Sequence, residues 1–257
     1  MRFDVITLFP ELFAPFLSAG INRRAFETGA VELKLWQLRD YADGTYRRVD
    51  DRPFGGGPGM VMLAEPLEKC LLAIRQDRSL KNPREKPVPV VLFSPIGQAL
   101  NHAGVEAWSQ SDGAILICGR YEGLDQRFID AHVDVQISLG DFVLSGGEIA
   151  AIALLDAVAR LQPGVLNDEG SHQMDSFNPA LDGLLDCGHF TRPEVWKDIT
   201  VPPVLMSGHH AEITKWRRQQ SLVLTQKYRP DLIQGARLAG KLSPQDENFL
   251  FSLGVFG

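Results

Sequence analysis

Hydrophobic and polar residues divide the chain into short apolar runs that end at glycine-rich or proline-rich turns. The clearest run, Ile115–Cys118, stops at a glycine and continues into the turn Gly119–Gly123. An alternating run, Val133–Leu139, leads in the same way into a second glycine loop, Gly140–Gly147. Short runs bounded by turn residues are typical of buried strands. The pattern therefore predicts two strands, each with a loop at its carboxyl end.

The second loop precedes the most apolar helical pattern of the chain. Ile149–Leu161 is apolar except for Asp156 and Arg160, which are four residues apart and can pair on one helix face. Ser145 and Glu148 have the spacing of a capping box, in which each side chain satisfies a backbone N–H group at the helix start. We therefore predict a helix that opens with this capping box.

The same reasoning predicts the remaining elements. Strands are expected at Phe3–Phe9, Val31–Trp36 and Val88–Phe93, and helices at Pro10–Leu17, Glu65–Arg75, Asn101–Ser109, Ala211–Arg229 and after Ser243. The charged stretch 77–86 is expected to be a solvated loop, and the strand at 88–93 ends in a third turn, Ser94–Gly97. In open α/β sheets, ligands bind at the carboxyl ends of the strands. The candidate site is therefore placed where the three turns gather.

The pattern changes after Leu161. Residues 162–178 contain Pro163, Gly164 and Gly170 among many polar residues, which is typical of a linker. We predict an α/β catalytic domain at 1–161, an interdomain linker at 162–175 and a smaller, mainly helical domain at 176–257. We also expect the linker to be mobile in the ligand-free protein, because it lacks apolar anchors.

Composition and charge narrow the classes of protein. The 257 residues are 44% hydrophobic and 23% charged, as in ordinary globular enzymes. The formal charge of −6 argues against non-specific nucleic-acid binding by the whole chain, although His210–Lys241 has seven basic residues against two acidic ones, a net charge of +5. Asp4 and Pro10 interrupt any signal peptide, and the apolar run Ile149–Leu155 is far shorter than the roughly 20 residues needed to span a bilayer. We expect a soluble, cytoplasmic protein without membrane partners.

Several kinds of site are disfavoured. Cys70, Cys118 and Cys187 form no CxxC pair, so buried thiols are expected and a zinc site is disfavoured. The glycine-rich loop at 53–60 lacks the GxxxxGK[ST] pattern, and none of the turns matches GxGxxG, which disfavours phosphate cradles and dinucleotide folds. That loop is either a flexible connector or a place of close backbone approach. Acidic residues in the turns suit a cationic ligand, such as the sulfonium of S-adenosylmethionine, better than a phosphate.

Eight longer motifs carry a resemblance to a known family. They are VITLFPELF (Val5–Phe13), VDDRPFGGGPGMVM (Val49–Met62), CGRYEGLDQR (Cys118–Arg127), SLGDFVLSGGE (Ser138–Glu148), DAVARLQPGVL (Asp156–Leu166), DSF (Asp175–Phe177), LLDCGHFTRPEVW (Leu184–Trp196) and VPPVLMSGHH (Val201–His210). In these motifs the chain resembles the TrmD family of bacterial tRNA (guanine-N1)-methyltransferases, of the SPOUT class. The resemblance covers essentially the whole chain.

The resemblance implies a fold and a set of ligands. The fold would be an α/β domain that binds S-adenosylmethionine, with a SPOUT-type parallel sheet and a deep trefoil knot, followed by a helical tRNA-binding domain at 176–257. The protein would be a homodimer with each active site at the subunit interface, and would methylate the guanosine at tRNA position 37. The family also needs magnesium, but no carboxylate cluster in this sequence specifies its ligands. The methyl donor, S-adenosylmethionine, would be bound by Pro95, Gly119, Glu122, Leu139, Gly140, Asp141, Phe142, Val143, Leu144, Gly146 and Gly147.

Two residues match the catalytic positions of the family. Asp175 matches the general base that removes the N1 proton of guanine, and Arg160 matches the residue that stabilises charge on the guanine oxygen. From the sequence alone, Asp175 is as readily a helix cap, and Arg160 a partner of Asp156. Phe177 and Trp196 are expected in the core rather than as stacking platforms.

Two positions depart from the family, and two other functions remain open. Phe142 stands where the family commonly has tyrosine, and Ile96 replaces a polar residue in its turn. Neither change affects the proposed base or arginine. The alternatives are a non-catalytic tRNA-binding protein with the same fold and a SPOUT enzyme that acts on a different RNA.

Overall fold

A buried parallel sheet organises the amino-terminal part of the chain in a computed structural model. Its strands are β1 (Arg2–Thr7), β2 (Glu32–Gln37), β5 (Val90–Ala99), β6 (Gly113–Ile117) and β7 (Val135–Ser138). The order across the sheet is β2-β1-β6-β5-β7, and every neighbouring pair is parallel. The fold is therefore mixed α/β with a parallel central sheet. The predicted strands are confirmed, with boundaries that differ by a few residues.

Helices and short ribbons complete the secondary structure. The helices are α1 (Ala14–Ser18), α2 (Gly20–Glu27), α3 (Ala64–Lys81), α4 (His102–Ser109), α5 (Gln126–His132), α6 (Glu148–Ala159), α7 (His210–Tyr228), α8 (Pro230–Leu238) and α9 (Pro244–Ser252). Two-stranded antiparallel ribbons join β3 (Asp50–Asp51) to β4 (Val61–Met62) and β8 (Val195–Trp196) to β9 (Ile199–Thr200).

Side chains alternate between the two faces of the sheet along each strand, and each face packs into a buried cluster. On β6, Leu116 packs into a cluster that includes Leu154 and Val158 of α6. Its neighbours Ile115 and Ile117 face the opposite cluster, which includes residues of α3 and α5. Burial on both faces explains why these strands are continuous apolar runs.

The structure describes residues 1–82, 86–166 and 171–254. The chain divides into two units, Met1–Asn167 and Asp168–Gly257, and this division falls within the predicted linker. Residues 167–170 of that linker lie outside the described residues, so its expected mobility stays a prediction. No helix in the described ranges is long and apolar enough to cross a membrane.

Two predictions about local structure are wrong. The Ser145–Glu148 capping box does not form: Gly147 is the N-cap of α6, without a side-chain cap hydrogen bond. The stretch beyond residue 76 was expected to be a solvated loop, but α3 continues to Lys81. Arg78, in that stretch, is 5% exposed and donates a hydrogen bond to Asp4 at 2.7 Å. Residues 83–85 lie outside the described part.

The second unit has a small core of its own. Leu184, Leu222, Ile233, Ala236 and Leu250 form its buried cluster. Phe177 and Trp196 were expected to be core residues, but they are 42% and 60% exposed, so this expectation is wrong. The predicted helix after Ser243 is confirmed, with a capping box between Ser243 and Asp246. The three cysteines are buried, as expected.

Candidate active site

The three predicted turns meet at one cavity of about 410 Å³. Its walls come mainly from residues 92–96, 119–124, 136–140 and 142–147. Three of these ranges follow or interrupt β5, β6 and β7, which are adjacent in the sheet. The expectation that the three turns gather at one site is therefore confirmed, but the first turn interrupts β5 instead of ending it. The volume suits a small organic ligand.

The first turn is an irregularity within β5. Phe93 and Gln98 both pair with Ile137, so residues 94–97 leave the ladder and return to it. A Cβ atom on Gly97 would lie 2.5 Å from the backbone nitrogen of Ile137, so only glycine permits this approach. The excursion places Pro95 in the cavity wall.

The second and third turns are joined through their backbones. Gly147 donates a backbone hydrogen bond to the carbonyl oxygen of Gly119 at 2.9 Å, and Arg120 forms an isolated bridge with Gly146. A Cβ atom on Gly147 would lie 2.8 Å from Cα of Cys118, closer than real Cβ contacts. The absence of a side chain at Gly147 therefore lets the two loops pack at backbone distance.

The glycine-rich loop at 53–60 ends against the second turn. Backbone N–H groups of Glu122 and Met62 donate to the carbonyl oxygens of Met60 and Gly123 at 3.0 and 2.8 Å. A Cβ atom on Gly59 would lie 2.3 Å from Oε1 of Glu122, so glycine leaves room for that carboxylate. The sequence left open whether this loop is a flexible connector or a place of close backbone approach. The geometry at Gly59 favours close backbone approach.

A buried ion pair lies between the second turn and α6. Nη2 of Arg120 lies 2.9 Å from Oε2 of Glu148, whose side chain is 1% exposed. The other carboxylate oxygen accepts a hydrogen bond from Thr7 at 2.8 Å. Arg120 also donates to the carbonyl oxygen of Ser145 at 3.1 Å. Sequence reasoning missed Arg120, although it lies in the quoted motif at 118–127.

Comparison with known sequences identifies the family. The profile of the family described as tRNA (guanine-1)-methyltransferase TrmD matches residues 1–235. The chain belongs to this family. A tRNA (guanine-N(1)-)-methyltransferase of Polaromonas sp. (strain JS666) is 72% identical over 253 residues, covering 98% of this chain and 97% of that protein. Proteins of the same name from Paracidovorax citrulli and Bordetella pertussis are 67% and 53% identical, each over 98% of both chains.

The residues that the resemblance assigned to the donor lie mostly in the walls of this TrmD-family cavity. Ten of the eleven line it, namely Pro95, Gly119, Glu122, Leu139, Gly140, Phe142, Val143, Leu144, Gly146 and Gly147. Asp141 lies in the same loop outside the lining. Tyr121, which the sequence did not single out, also lines the cavity and has a left-handed backbone with φ of 60°.

The two proposed catalytic residues belong to different units. Arg160 is the half-buried C-cap residue of α6 in the first unit. Asp175 lies in the second unit, where its backbone N–H donates to His172 and its carbonyl oxygen accepts from Asn178, both at 3.2 Å. The Asp156 carboxylate accepts a hydrogen bond from the Asn22 amide, so the expected Asp156–Arg160 pair has a competing partner.

The basic carboxyl-terminal helices are partly neutralised within the TrmD-family chain. Arg218 pairs with Asp182 and Asp246 at 2.7 and 3.0 Å, and Arg229 and Arg237 pair with Asp231 and Glu247, each at 2.7 Å. The net charge of +5 read from residues 210–241 therefore overstates the local positive charge. Lys215, Arg217, Lys227 and Lys241 have no ion pair within the described ranges.

Metal ligands are not apparent in the part of the chain that the structure describes. Within residues 1–82, 86–166 and 171–254, no three His, Cys, Asp or Glu side chains form a group that could hold an ion.

Proposed function

We propose that this chain transfers a methyl group from S-adenosylmethionine to the N1 nitrogen of the guanosine at position 37 of tRNA, in the cytoplasm. The observation that carries the proposal is the convergence of three loops, one within β5 and two after β6 and β7, in a chain that belongs to the TrmD family. These are the loops to which the resemblance assigns the donor.

The cavity suits an adenosine with a cationic substituent. Its volume is about 410 Å³, and its walls combine loop backbone with apolar side chains such as Leu92 and Ile137. Glu122 adds a carboxylate to the lining, which favours a positively charged sulfonium over a phosphate. Bound there, S-adenosylmethionine supplies an electrophilic methyl group.

Asp175 removes the N1 proton of guanine in this proposal. The N1 lone pair is unavailable for attack until the proton leaves, and a positioned carboxylate accelerates such a transfer by about 10²–10⁴-fold. Negative charge then develops on the guanine oxygen, where the Arg160 guanidinium stabilises it. The remaining task is alignment of N1 with the methyl group.

A homodimer would complete the site. The family resemblance implies one active site at each subunit interface and a trefoil knot around the donor. Exposed apolar side chains on the cavity loops support a covered surface there: Ile96, Phe142 and Val143 are 82%, 56% and 88% exposed in the single chain. Single apolar side chains are common on surfaces, but a cluster at one site suggests an interface.

The test measures labelled methyl transfer to unmodified tRNA transcripts by the wild type, Asp175→Ala and Arg160→Ala. We expect both variants to lose at least about 10²-fold in kcat while binding the donor as the wild type does. A transcript with adenosine at position 37 controls for the target nucleotide. Its methylation would favour the alternative SPOUT enzyme with a different RNA substrate.

Two further outcomes contradict parts of the proposal. Wild-type activity in Asp175→Ala would make this residue a structural cap and leave the methyltransferase assignment standing. Tight tRNA binding without methyl transfer by the wild type would favour the non-catalytic tRNA-binding protein.

A further inference from the structure

A second cavity of about 460 Å³ lies entirely within the second unit. We call it the C-terminal pocket and define it by the residues that carry the argument: Phe190, Arg192, Glu194, Trp216 and Arg217. The ribbon β8–β9 follows Glu194 directly, and the backbone N–H of Val201 donates to the Glu194 carbonyl oxygen at 3.0 Å. The pocket is therefore lined by α7 and by the segments on either side of the ribbon, within 188–194 and 201–206.

Two aromatic rings line the pocket without belonging to the core of the unit. Phe190 and Trp216 have ring centroids 6.1 Å apart and an interplanar angle of 59°. Neither belongs to the buried cluster around Leu222, and Phe190 is 48% exposed. Aromatic rings beside an open cavity offer flat apolar surface to a planar ligand.

The arginines of the pocket differ from their neighbours in sequence. Arg218 has two carboxylate partners, whereas Arg217 and Arg192 form no ion pair within the described residues. Arg217 and Arg192 are exposed and line the pocket. An unpaired guanidinium can bind phosphate with paired N–H donors, and it can also pack on a nucleobase.

Glu194 makes the pocket more selective than a general anion site. Its side chain has no ion-pair partner in the described part of the chain and lines the same cavity. A carboxylate repels phosphate but accepts hydrogen bonds from N–H groups, which nucleobases carry on their edges. The arrangement combines flat apolar surface, guanidinium groups and one acceptor, which together match a nucleotide.

We propose that the C-terminal pocket binds one unpaired nucleotide of the RNA substrate. The base packs against Phe190 and Trp216, its phosphate contacts Arg192 or Arg217, and Glu194 accepts a hydrogen bond from the base edge. Stacking of single-stranded bases on aromatic side chains is a common source of RNA affinity. The inference rests on the proposed function only in taking the substrate to be RNA.

The first experiment compares Phe190→Leu with Tyr228→Leu in the full-length protein. Tyr228 is an exposed aromatic residue of α7 outside the pocket, so it is a matched control. We expect Phe190→Leu to raise the KM for tRNA and the Kd for tRNA on the order of tenfold, since one stacked base contributes that much. The kcat at saturating tRNA and the affinity for S-adenosylmethionine should stay within about twofold. Equal KM values for the two variants would overturn the proposal.

The second experiment separates the pocket from general attraction to phosphate. Arg217→Gln and Lys227→Gln remove one charge each from exposed positions of α7, and only Arg217 lines the pocket. Loss of affinity through counterion release should be similar in both and should follow salt concentration. We expect Arg217→Gln to lose several-fold more affinity at every salt concentration. Identical losses would contradict a nucleotide pocket.

Photocrosslinking of tRNA to the wild type identifies the occupant. The expected product is a peptide containing Phe190 or Trp216 joined to one unpaired nucleotide. A crosslink without methyl transfer would support this inference and contradict the proposed function. Methyl transfer by the wild type, with equal KM values for Phe190→Leu and Tyr228→Leu, would support the proposed function and contradict this inference. A changed oligomeric state of Phe190→Leu in light scattering would instead identify the pocket as a protein contact and overturn the proposal.

Discussion

The Arg120 guanidinium and the Glu148 carboxylate form a buried ion pair, with 2.9 Å between Nη2 and Oε2. Because Glu148 also accepts from Thr7 at 2.8 Å, this pair connects the end of β1, the turn after β6 and the start of α6. Arg120 lies 4.5 Å from the centroid of the Phe9 ring and lines the cavity. One carboxylate therefore holds three segments at the candidate donor site.

Replacing Glu148 by glutamine tests this connection. The variant keeps the side-chain size but leaves Arg120, 17% exposed, without its buried anion. Removing one partner of a buried pair is costly, and we expect a loss of about 2–4 kcal/mol in the free energy of unfolding. The Kd for S-adenosylmethionine should also rise. Urea denaturation and calorimetry measure the two effects.

The matched control is Thr7→Val, which keeps the Arg120–Glu148 ion pair but removes the hydroxyl that donates to Glu148 and accepts from the backbone N–H of Phe9. The variant should lose about 1–3 kcal/mol in the free energy of unfolding, because the buried Glu148 carboxylate has one partner fewer. Its affinity for S-adenosylmethionine should change less than that of Glu148→Gln. Wild-type donor binding by Glu148→Gln would show that the loops are held by their backbone contacts alone.

Gly147 should tolerate no side chain. In Gly147→Ala the new Cβ would lie 2.8 Å from the backbone Cα of Cys118, and the two segments cannot separate without breaking the hydrogen bond from Gly147 to Gly119. We expect a loss of about 1–3 kcal/mol in the free energy of unfolding and weaker donor binding. Gly235→Ala is the control, because its Cβ meets nothing within 4 Å on α8. Higher helix propensity should stabilise that variant by about 0.5–1 kcal/mol. Similar thermal midpoints for the two variants would contradict the packing argument.

The site was predictable where a local pattern has one structural meaning. Strands that end in glycine turns must bring those turns to one edge of a parallel sheet, so the cavity followed from apolar runs such as Ile115–Cys118. The role of Glu148 was not predictable in this way. Its spacing from Ser145 matches a capping box, but its partner Thr7 is 141 residues away. A local motif cannot reveal that a distant group competes for the same carboxylate.

The prediction of a solvated loop after residue 76 was wrong for the same physical reason. Local sequence suggests solvent, because charged residues are rarely buried without partners. Arg78 can be buried because it pairs with the buried carboxylate of Asp4. A local pattern does not show this partner, since Asp4 lies 74 residues earlier in the sequence. The roles of Asp175 and Arg160 came from the resemblance alone, since neither residue has a local pattern that separates catalysis from capping or pairing.

Asp4 should be the most sensitive charged residue of the first unit. Its carboxylate is fully buried and accepts from Arg2, Arg78 and Trp36 at 2.6, 2.7 and 2.7 Å. Asp4→Asn leaves two buried guanidinium groups with less compensation, and we expect a loss of about 3–5 kcal/mol. Glu32→Gln is the control, because its pair with Lys81 is half exposed on both sides and contributes at most about 1 kcal/mol. Chemical denaturation at pH 7 should separate the two variants, and equal midpoints would contradict the buried network.

Asp246 should give the second unit an acid-dependent stability. Burial opposes ionisation of Asp246, but hydrogen bonds from Arg218 and Ser243 outweigh it and lower the pKa of this carboxyl below its ordinary value of 3.8. As the pH falls, the unfolded chain therefore takes up the proton first. The stabilisation is fully present above the unfolded-state pKa and is lost as the pH falls through the lower, folded-state pKa.

The measurement is the free energy of unfolding of the wild type and Asp246→Asn between pH 7 and pH 2.5. At pH 7 the variant should be less stable by about 1–3 kcal/mol, because it loses the carboxylate of the capping box with Ser243 and one of the two carboxylate partners of Arg218. The difference should shrink as the pH falls below about 4, where the unfolded wild-type chain takes up the proton, until the carboxyl of the folded wild type is protonated as well. Carboxyls that do not interact with Asp246, such as Glu32, whose pKa is lowered by Lys81, titrate equally in both proteins and cancel. A difference that stays constant down to pH 2.5 would show that Asp246 stabilises α9 through hydrogen bonds that do not require its charge.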